Sequence, residues 1–174
     1  MSHPSPRKRG EGQGVRSKKI IIGFDPGLAD TGWGVIEEQG NKLVCLAYGS
    51  IKTPAKSPLP ERLNLLFEAT TKILKKYKPD LISIEHLFFC RNVTTAIAVG
   101  AARGILLLAS EKSKTKIVEY TPAQVKQAVS SYGAASKQQV QRMVKLFLNL
   151  KEIPKPDDAA DALAMAICAS GKKQ

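Results

Sequence analysis

The sequence contains 174 residues, 43% of them hydrophobic and 24% charged, a composition typical of one folded domain and not of a disordered chain. Lysine and arginine outnumber aspartate and glutamate by 27 to 15, and the net charge of +12 favours a polyanionic partner. Three widely separated cysteines exclude a disulfide framework and a thiolate zinc site, and no apolar stretch is long enough to span a membrane. We therefore expect a cytoplasmic protein that does not contact a membrane.

Residues 1–18 form a basic arm that we predict to be disordered, because it is rich in Pro, Gly and Ser and poor in apolar residues. It lacks the apolar segment of a secretory signal. The arm either contacts phosphates without sequence preference or is a solvated leader. Up to position 19 the basic residues, opposed only by Glu11, are Arg7, Lys8, Arg9, Arg16, Lys18 and Lys19. We predict one domain at 19–170 and a short tail at 171–174.

Three strands in an antiparallel meander are predicted at the start of the domain. The β-branched run from Lys19 to Asp25 ends at a Pro-Gly turn and is typical of a buried strand. Runs at 32–37 and 43–49 follow, separated by a turn at 39–41.

Helices and two further strands alternate beyond the meander. Apolar residues recur at helical spacing over 59–74, and short apolar runs predict strands at 81–85 and 116–120. Between these strands, the Ala-, Leu- and Gly-rich segment 94–110 predicts a helix that is either central core or an interface.

Three more helices are predicted towards the end of the chain. Thr121 and Ser136 each begin a capping-box signature, and Asp157 is placed to cap an alanine-rich helix over 158–169. A meander followed by strand-helix-strand crossovers predicts an α/β fold in which one mixed five-stranded sheet is flanked by helices.

Four acidic residues occupy positions that a structural role explains poorly. Asp25 and Glu85 each end a buried strand, and carboxylates at adjacent strand ends repel each other unless a cation neutralises them. Asp158 and Asp161 lie three residues apart on one helix and therefore share a face, although Asp is also favoured in a first helical turn. Oxygen ligands without His or Cys favour Mg²⁺ or Mn²⁺. Such a site on a basic protein indicates a nuclease.

Five motifs, taken in order, closely resemble those of the RuvC Holliday-junction resolvases. They are GFDPG at 23–27, SIEHLFFCRN at 83–92, GAARG at 100–104, TPAQVKQAV at 121–129 and DDAADALAMAI at 157–167. The resemblance implies a ribonuclease H-like fold and a homodimer. It also implies that the protein nicks two opposed strands of a four-way DNA junction, with Mg²⁺ or Mn²⁺, during recombination and repair.

The resemblance implies that the metal ligands are Asp25, Glu85, Asp158 and Asp161, the residues already singled out by their positions. It implies two ions in each active site, with Asp25 bridging them. Asp157 could also meet Asp161 across one helical turn, but the spacing in the family selects Asp158 and leaves Asp157 as the cap.

The resemblance further implies a set of DNA contacts. Phe88 matches an aromatic residue that engages bases at the junction centre, the alternative being a core position. Lys126 and Lys137 match basic DNA contacts; a cation at the start of a helix opposes the helix dipole, and a phosphate would remove that conflict. Arg91 and Asn92 are further candidates, for which a solvated loop is the alternative.

The predicted function is therefore a structure-selective endonuclease, with the branch-migration proteins RuvA and RuvB as candidate partners. One alternative is an actin-like ATPase, which requires a second nucleotide-binding half for which 174 residues leave no space. Another is a non-catalytic junction-binding module, which would gain from losing carboxylates beside phosphates. A third is a ribonuclease H-like nuclease that acts on RNA–DNA hybrids.

Overall fold

The computed structural model describes residues 18–86 and 93–171 of the chain. Most of the predicted basic arm, residues 1–17, and the end of the predicted tail, 172–174, lie outside the described residues. The described elements are β1 (Lys19–Asp25), β2 (Asp30–Gln39), β3 (Lys42–Lys52), α1 (Leu59–Tyr77), β4 (Leu81–Glu85), α2 (Val93–Lys112), β5 (Lys116–Tyr120), α3 (Pro122–Ser130), α4 (Lys137–Phe147) and α5 (Asp157–Ser170). Within these ranges, no helix is both long and apolar enough to cross a membrane.

The strands form the predicted mixed five-stranded sheet, and their order in it is β3-β2-β1-β4-β5. β1 pairs with β2 and β2 with β3 in antiparallel fashion, whereas β4 is parallel to both β1 and β5. Parallel strands end at the same edge of a sheet. Because Phe24 pairs with Ile84, the residues that follow them, Asp25 and Glu85, leave the sheet side by side.

Each face of the sheet carries its own hydrophobic core. Ile22 packs with Leu66 of α1 and Leu106 of α2 on one face. Its neighbour Ile21 packs on the opposite face with residues of α3, α4 and α5, among them Leu163. Side chains of a strand alternate between faces, so a central strand covered on both sides must be apolar throughout. This requirement explains the unbroken apolar run of β1.

Helix α5 lies unusually close to the sheet because glycines face it. A Cβ atom on Gly23 of β1 would lie 2.0 Å from the carbonyl oxygen of Ala162, and one on Gly32 of β2 would lie 2.0 Å from that of Asp158. Real Cβ atoms do not approach a backbone oxygen so closely, so only glycine allows this packing. The first turn of α5 is therefore held against the ends of β1 and β2.

The helix starts test the predicted caps. Thr121 and Ser136 begin α3 and α4 with complete capping boxes, which confirms both predictions. The prediction that Asp157 caps α5 is wrong, because Asp157 is the first helical residue. The N-cap is Pro156, whose side chain forms no capping hydrogen bond. In the first helical position the carboxylate of Asp157 still favours the positive end of the helix dipole without closing a capping hydrogen bond.

Candidate metal centre

Three of the four predicted ligands meet where β1 ends and α5 begins. Asp25 is the last residue of β1, and Asp158 and Asp161 lie three residues apart in the first turns of α5. One carboxylate oxygen from each of the three lies within 4.8 Å of the other two, close enough to share a metal ion. The partial burial of all three side chains limits their access to water. The close packing of α5 on the sheet brings these acids together.

Glu85 is the fourth predicted ligand and lies beside this trio. With Asp25 and Asp161 it lines a cavity of about 260 Å³ at the carboxyl ends of the parallel strands. Its carboxylate is not one of the three mutually close groups, but burial and the nearby charge of Asp161 both raise its pKa. All four predicted residues therefore lie in one electrostatically coupled region.

Burial and mutual repulsion raise the free energy of the ionised carboxylates. Burial is the largest cause that raises the pKa of Asp25, to about 8, and the charges of Glu85, Asp161 and Asp158 add to it. Burial also raises the pKa of Asp158. A divalent cation would relieve this repulsion, and a set of ligands made only of carboxylate oxygens suits Mg²⁺ or Mn²⁺. The residues present therefore fit the metal that the sequence implies.

Two lysines predicted to contact DNA, Lys126 and Lys137, line the same cavity. The Nζ atom of Lys137 lies 2.9 Å from Oδ2 of Asp161 and 3.6 Å from Oδ2 of Asp157. The hydrogen bond with Asp161 is the main cause that raises the pKa of Lys137, and the charge of Lys137 offsets part of the rise in the pKa of Asp25. Lys137 begins α4, where the helix dipole disfavours a cation. The carboxylates of α5 offset this unfavourable interaction.

A family model described as crossover junction endodeoxyribonuclease RuvC matches residues 21–169. The chain belongs to the RuvC family. It is 57% identical over 149 residues to the crossover junction endodeoxyribonuclease RuvC of Halothermothrix orenii, an alignment covering 86% of this chain and 90% of the relative. The corresponding protein of Rubrobacter xylanophilus is 50% identical over 155 residues, covering 89% of this chain and 87% of that relative.

Solved RuvC structures share this architecture. The structure of Thermus thermophilus RuvC superposes with a TM-score of 0.80 at 35% identity, over 87% of this chain and 93% of the other. The same protein in complex with a Holliday junction substrate gives a TM-score of 0.83 at 34% identity, with the same coverage. The yeast mitochondrial Holliday junction resolvase Ydc2, at 14% identity and a TM-score of 0.60, shares the fold. The predicted ribonuclease H-like fold and the predicted family are confirmed.

Three residues predicted to contact DNA in this RuvC chain, Phe88, Arg91 and Asn92, lie outside the described residues. They stay predictions. His86, the last described residue before them, is exposed, and its Nδ1 atom lies 2.8 Å from Oε2 of Glu119. The chain that leads into the predicted DNA contacts is therefore attached to β5 at this point.

Sequence reasoning missed Asp30, a further acid beside the candidate metal centre. Asp30 begins β2, and its charge is among the causes that raise the pKa of Asp158. Its Oδ1 atom is buried and has no hydrogen-bond partner within the part of the chain that the structure describes. The signal in the sequence is a second Asp five residues after Asp25, across the Pro-Gly turn. Its proximity to the other acids depends on the antiparallel return of β2 alongside β1.

Sequence reasoning also missed an ion-pair network behind Glu85. Nη2 of Arg103 lies 2.6 Å from Oε1 of Glu119, and Nε of Arg103 donates a hydrogen bond to the backbone oxygen of Glu85 at 3.3 Å. The hydrogen bond from His86 is the largest cause that lowers the pKa of Glu119, and Arg103 adds to it. Arg103 thus connects α2 to the end of β4. Its only signal in the sequence is its place in the GAARG motif.

Proposed function

We propose that this protein is a cytoplasmic, metal-dependent endonuclease that resolves four-way DNA junctions by symmetric hydrolysis during recombination and repair. The observation that carries the proposal is the cluster of Asp25, Asp158 and Asp161 at the edge of a cavity that two lysines also line. The substrate is inferred from the T. thermophilus relative, whose structure contains a Holliday junction substrate. The positive net charge of +12 is consistent with a nucleic-acid substrate.

We assign metal binding to Asp25, Glu85, Asp158 and Asp161, with two Mg²⁺ or Mn²⁺ ions in each site. When bound, the ions supply activation of the attacking water and stabilisation of the leaving oxygen of the phosphodiester. The protein positions the ligands on two strand ends and one helix, elements whose backbones are fixed by the packing of α5 on the sheet. Rigid placement matters because the acids repel one another and would separate on flexible loops.

The lysines of the cavity have two roles in this proposal. Lys137 lies 2.9 Å from Oδ2 of Asp161 and offsets the negative charge of that carboxylate. Together with Lys126 it then provides positive charge for the scissile phosphate, whose oxygens carry the developing negative charge. We propose Phe88, Arg91 and Asn92 as further contacts to the junction.

The proposal includes a homodimer formed through α2. Ile97 and Leu108 on this helix are 66% and 49% exposed. Between them, Gly100 and Gly104 lie on the same helical face, and a Cβ atom on either would meet open space. A second copy of α2 would bury this face, and two equivalent sites would match two equivalent strands of a junction. RuvA and RuvB are candidate partners of that dimer.

The decisive experiment is cleavage of a labelled synthetic four-way junction, with Mg²⁺ or with a chelator. A linear duplex and an RNA–DNA hybrid of the same sequence serve as comparison substrates. We expect paired symmetric nicks in the junction alone, which require Mg²⁺ and are lost in Asp25→Asn. Glu152→Gln removes an exposed carboxylate that does not line the cavity, and this variant should cleave normally. Junction binding without cleavage, or preferential cleavage of the hybrid, would reject the proposal.

Metal binding can be measured separately from cleavage by thermal unfolding. Mg²⁺ should raise the Tm of the wild-type protein, because a ligand that binds only the folded state stabilises it, and about 1 kcal/mol corresponds to about 2–4 °C. Asp25→Asn should lose most of this shift, whereas Glu152→Gln should retain it. An equal Mg²⁺-dependent shift in Asp25→Asn would contradict the assigned site.

A further inference from the structure

A basic groove lies at the edge of the sheet opposite the metal centre. It encloses about 1000 Å³ between the C-terminal ends of α1 and α2 and the turns that lead into β4 and β5. Its lysines are Lys75, Lys78, Lys112, Lys114 and Lys116, and we call it the lysine groove. The metal centre lies at the carboxyl end of β4 and the groove at its amino end. A five-residue strand separates them by about 16 Å.

Stabilisation of the helix ends explains only some of the lysines in the lysine groove. Lys75 and Lys112 lie in the last turns of α1 and α2, where a cation favours the negative end of the helix dipole. Lys116 begins a strand and lacks such a role. Lys78 and Lys114 adopt φ angles of 45° and 56°, a conformation that favours glycine or asparagine, so backbone geometry does not explain a lysine at either position.

The positive charge is also not neutralised by the residues that the structure describes. None of the five lysines forms an ion pair with any of the residues that the structure describes. Asp80 is the acidic residue that lines the groove, and its Oδ2 atom already accepts a hydrogen bond from the backbone N–H of Ile20 at 2.8 Å. The groove therefore presents several unpaired cations to a ligand, and the ligand they favour is an anion.

The lining of the groove also includes apolar side chains, which restricts the type of anion. Phe67 and Leu74 of α1 and Ala109 of α2 contribute to its lining, and Leu74 and Ala109 are almost fully buried. The hydroxyl of Thr71, also in the lining, is buried and has no hydrogen-bond partner among the described residues. Duplex DNA would offer phosphates to the lysines but no partner to the apolar side chains of the lining. A peptide with acidic and apolar side chains satisfies both.

We infer that the lysine groove binds an acidic peptide segment of a partner protein, with an apolar side chain of that segment inserted between α1 and α2. The termini of this chain are not suitable occupants, since residues 1–17 contain four basic residues and one acidic residue, and residues 172–174 are Lys-Lys-Gln. Because the groove and the metal centre lie at opposite edges of the sheet, the partner could remain bound while the metal centre engages DNA. The inference does not depend on the nuclease activity.

The test measures binding of a fluorescein-labelled peptide, a run of glutamates interrupted by one leucine and one phenylalanine, to the full-length protein by fluorescence anisotropy. The charge-reversed variant carries Lys112→Glu together with Lys114→Glu, both at exposed positions, and its circular dichroism spectrum and Tm are compared with those of wild type to verify that it is folded. The matched control carries Lys42→Glu with Lys56→Glu, which changes the net charge equally at exposed positions outside the groove. Comparison peptides replace Glu by Gln, or Leu and Phe by Ala.

Wild type and the control should bind the acidic peptide alike, and the charge-reversed variant should bind it at least about tenfold more weakly. Both comparison peptides should bind more weakly than the parent, and junction cleavage by the charge-reversed variant should be unchanged. Absence of saturable binding by wild type would overturn the inference, as would equal weakening in the control. A comparable loss of affinity of the charge-reversed variant for duplex DNA would assign the groove to nucleic acid instead.

Discussion

Helices α2 and α5 are both rich in small residues but use them in opposite ways. Every residue of α5 from Ala159 to Ala169 except Asp161 is buried. In α2, Ile97 and Leu108 are largely exposed, and Gly104 borders open space. A helix rich in small residues can therefore bring two backbones together within one chain, or leave a smooth surface on which a second chain can pack.

The reason for the difference lies in what faces each helix. Gly23 of the sheet faces the backbone of α5 at Ala162 and Ala166, and Gly32 faces the backbone at Asp158, so the helix and the strands lie in close contact. The outward face of α2 has no element of the described chain opposite Gly100 or Gly104. As a result α5 positions acids with the precision of a packed core, whereas the exposed side of α2 is available for assembly.

The largest effect is expected for Asp161→Asn on α5. The change keeps the shape of the side chain but removes a carboxylate of the clustered trio, and junction cleavage should fall on the order of a thousandfold. Asp157→Asn alters a neighbouring exposed acid outside the trio and should cleave within about threefold of wild type. Initial rates with Mg²⁺ measure both variants. Equal losses would show that the first turn of α5, and not the trio, determines activity.

Replacing glycine by alanine at two positions compares the close packing of α5 on the sheet with the open face of α2. Gly23→Ala would place a Cβ atom 2.0 Å from a backbone oxygen of α5, and we expect the free energy of unfolding to fall by about 3 kcal/mol or more. Gly104→Ala meets open space and should change that free energy by less than about 1 kcal/mol. Urea unfolding compares the variants. A similar loss at both positions would refute the distinction between the helices.

The exposed face of α2 is tested by Ile97→Asp. A charge in the proposed dimer interface is costly to bury, so the dimer dissociation constant should rise about a hundredfold while the subunit stays folded. Leu146→Asp makes the same type of change on α4, where Leu146 is 62% exposed, and should leave the dimer intact. Analytical ultracentrifugation distinguishes monomer from dimer. An unchanged dimer in Ile97→Asp would place the interface elsewhere.

The smallest effect is expected for Arg103→Lys, which probes the inward face of α2. Lysine keeps the charge but loses the guanidinium geometry that contacts both Glu119 and the backbone oxygen of Glu85. We expect kcat for junction cleavage to fall about tenfold, with KM unchanged, because Arg103 positions Glu85 and does not itself bind substrate. Arg142→Lys, at an exposed position on α4, is the control. A change confined to KM would indicate a DNA contact.

Local sequence patterns were sufficient for the elements and for the choice of candidate ligands. The apolar run that ends at Asp25, the similar run that ends at Glu85, and the three-residue spacing of Asp158 and Asp161 are all visible without a fold. The cap of α5 was predicted incorrectly because Asp157 is a favourable residue both at a cap and in a first helical turn, and sequence alone does not separate these positions.

Short-range periodicity and motifs were enough to identify the family, the order of strands and helices along the chain, and the acidic residues at the strand ends. The tertiary structure placed Lys137 beside Asp161 and Asp30 near Asp158, and through burial it raised the pKa of Asp25 to about 8. It also decided that lysines from two distant turns share one groove. Distances and burial depend on which segments pack together, and that information is not contained in any local stretch of the chain.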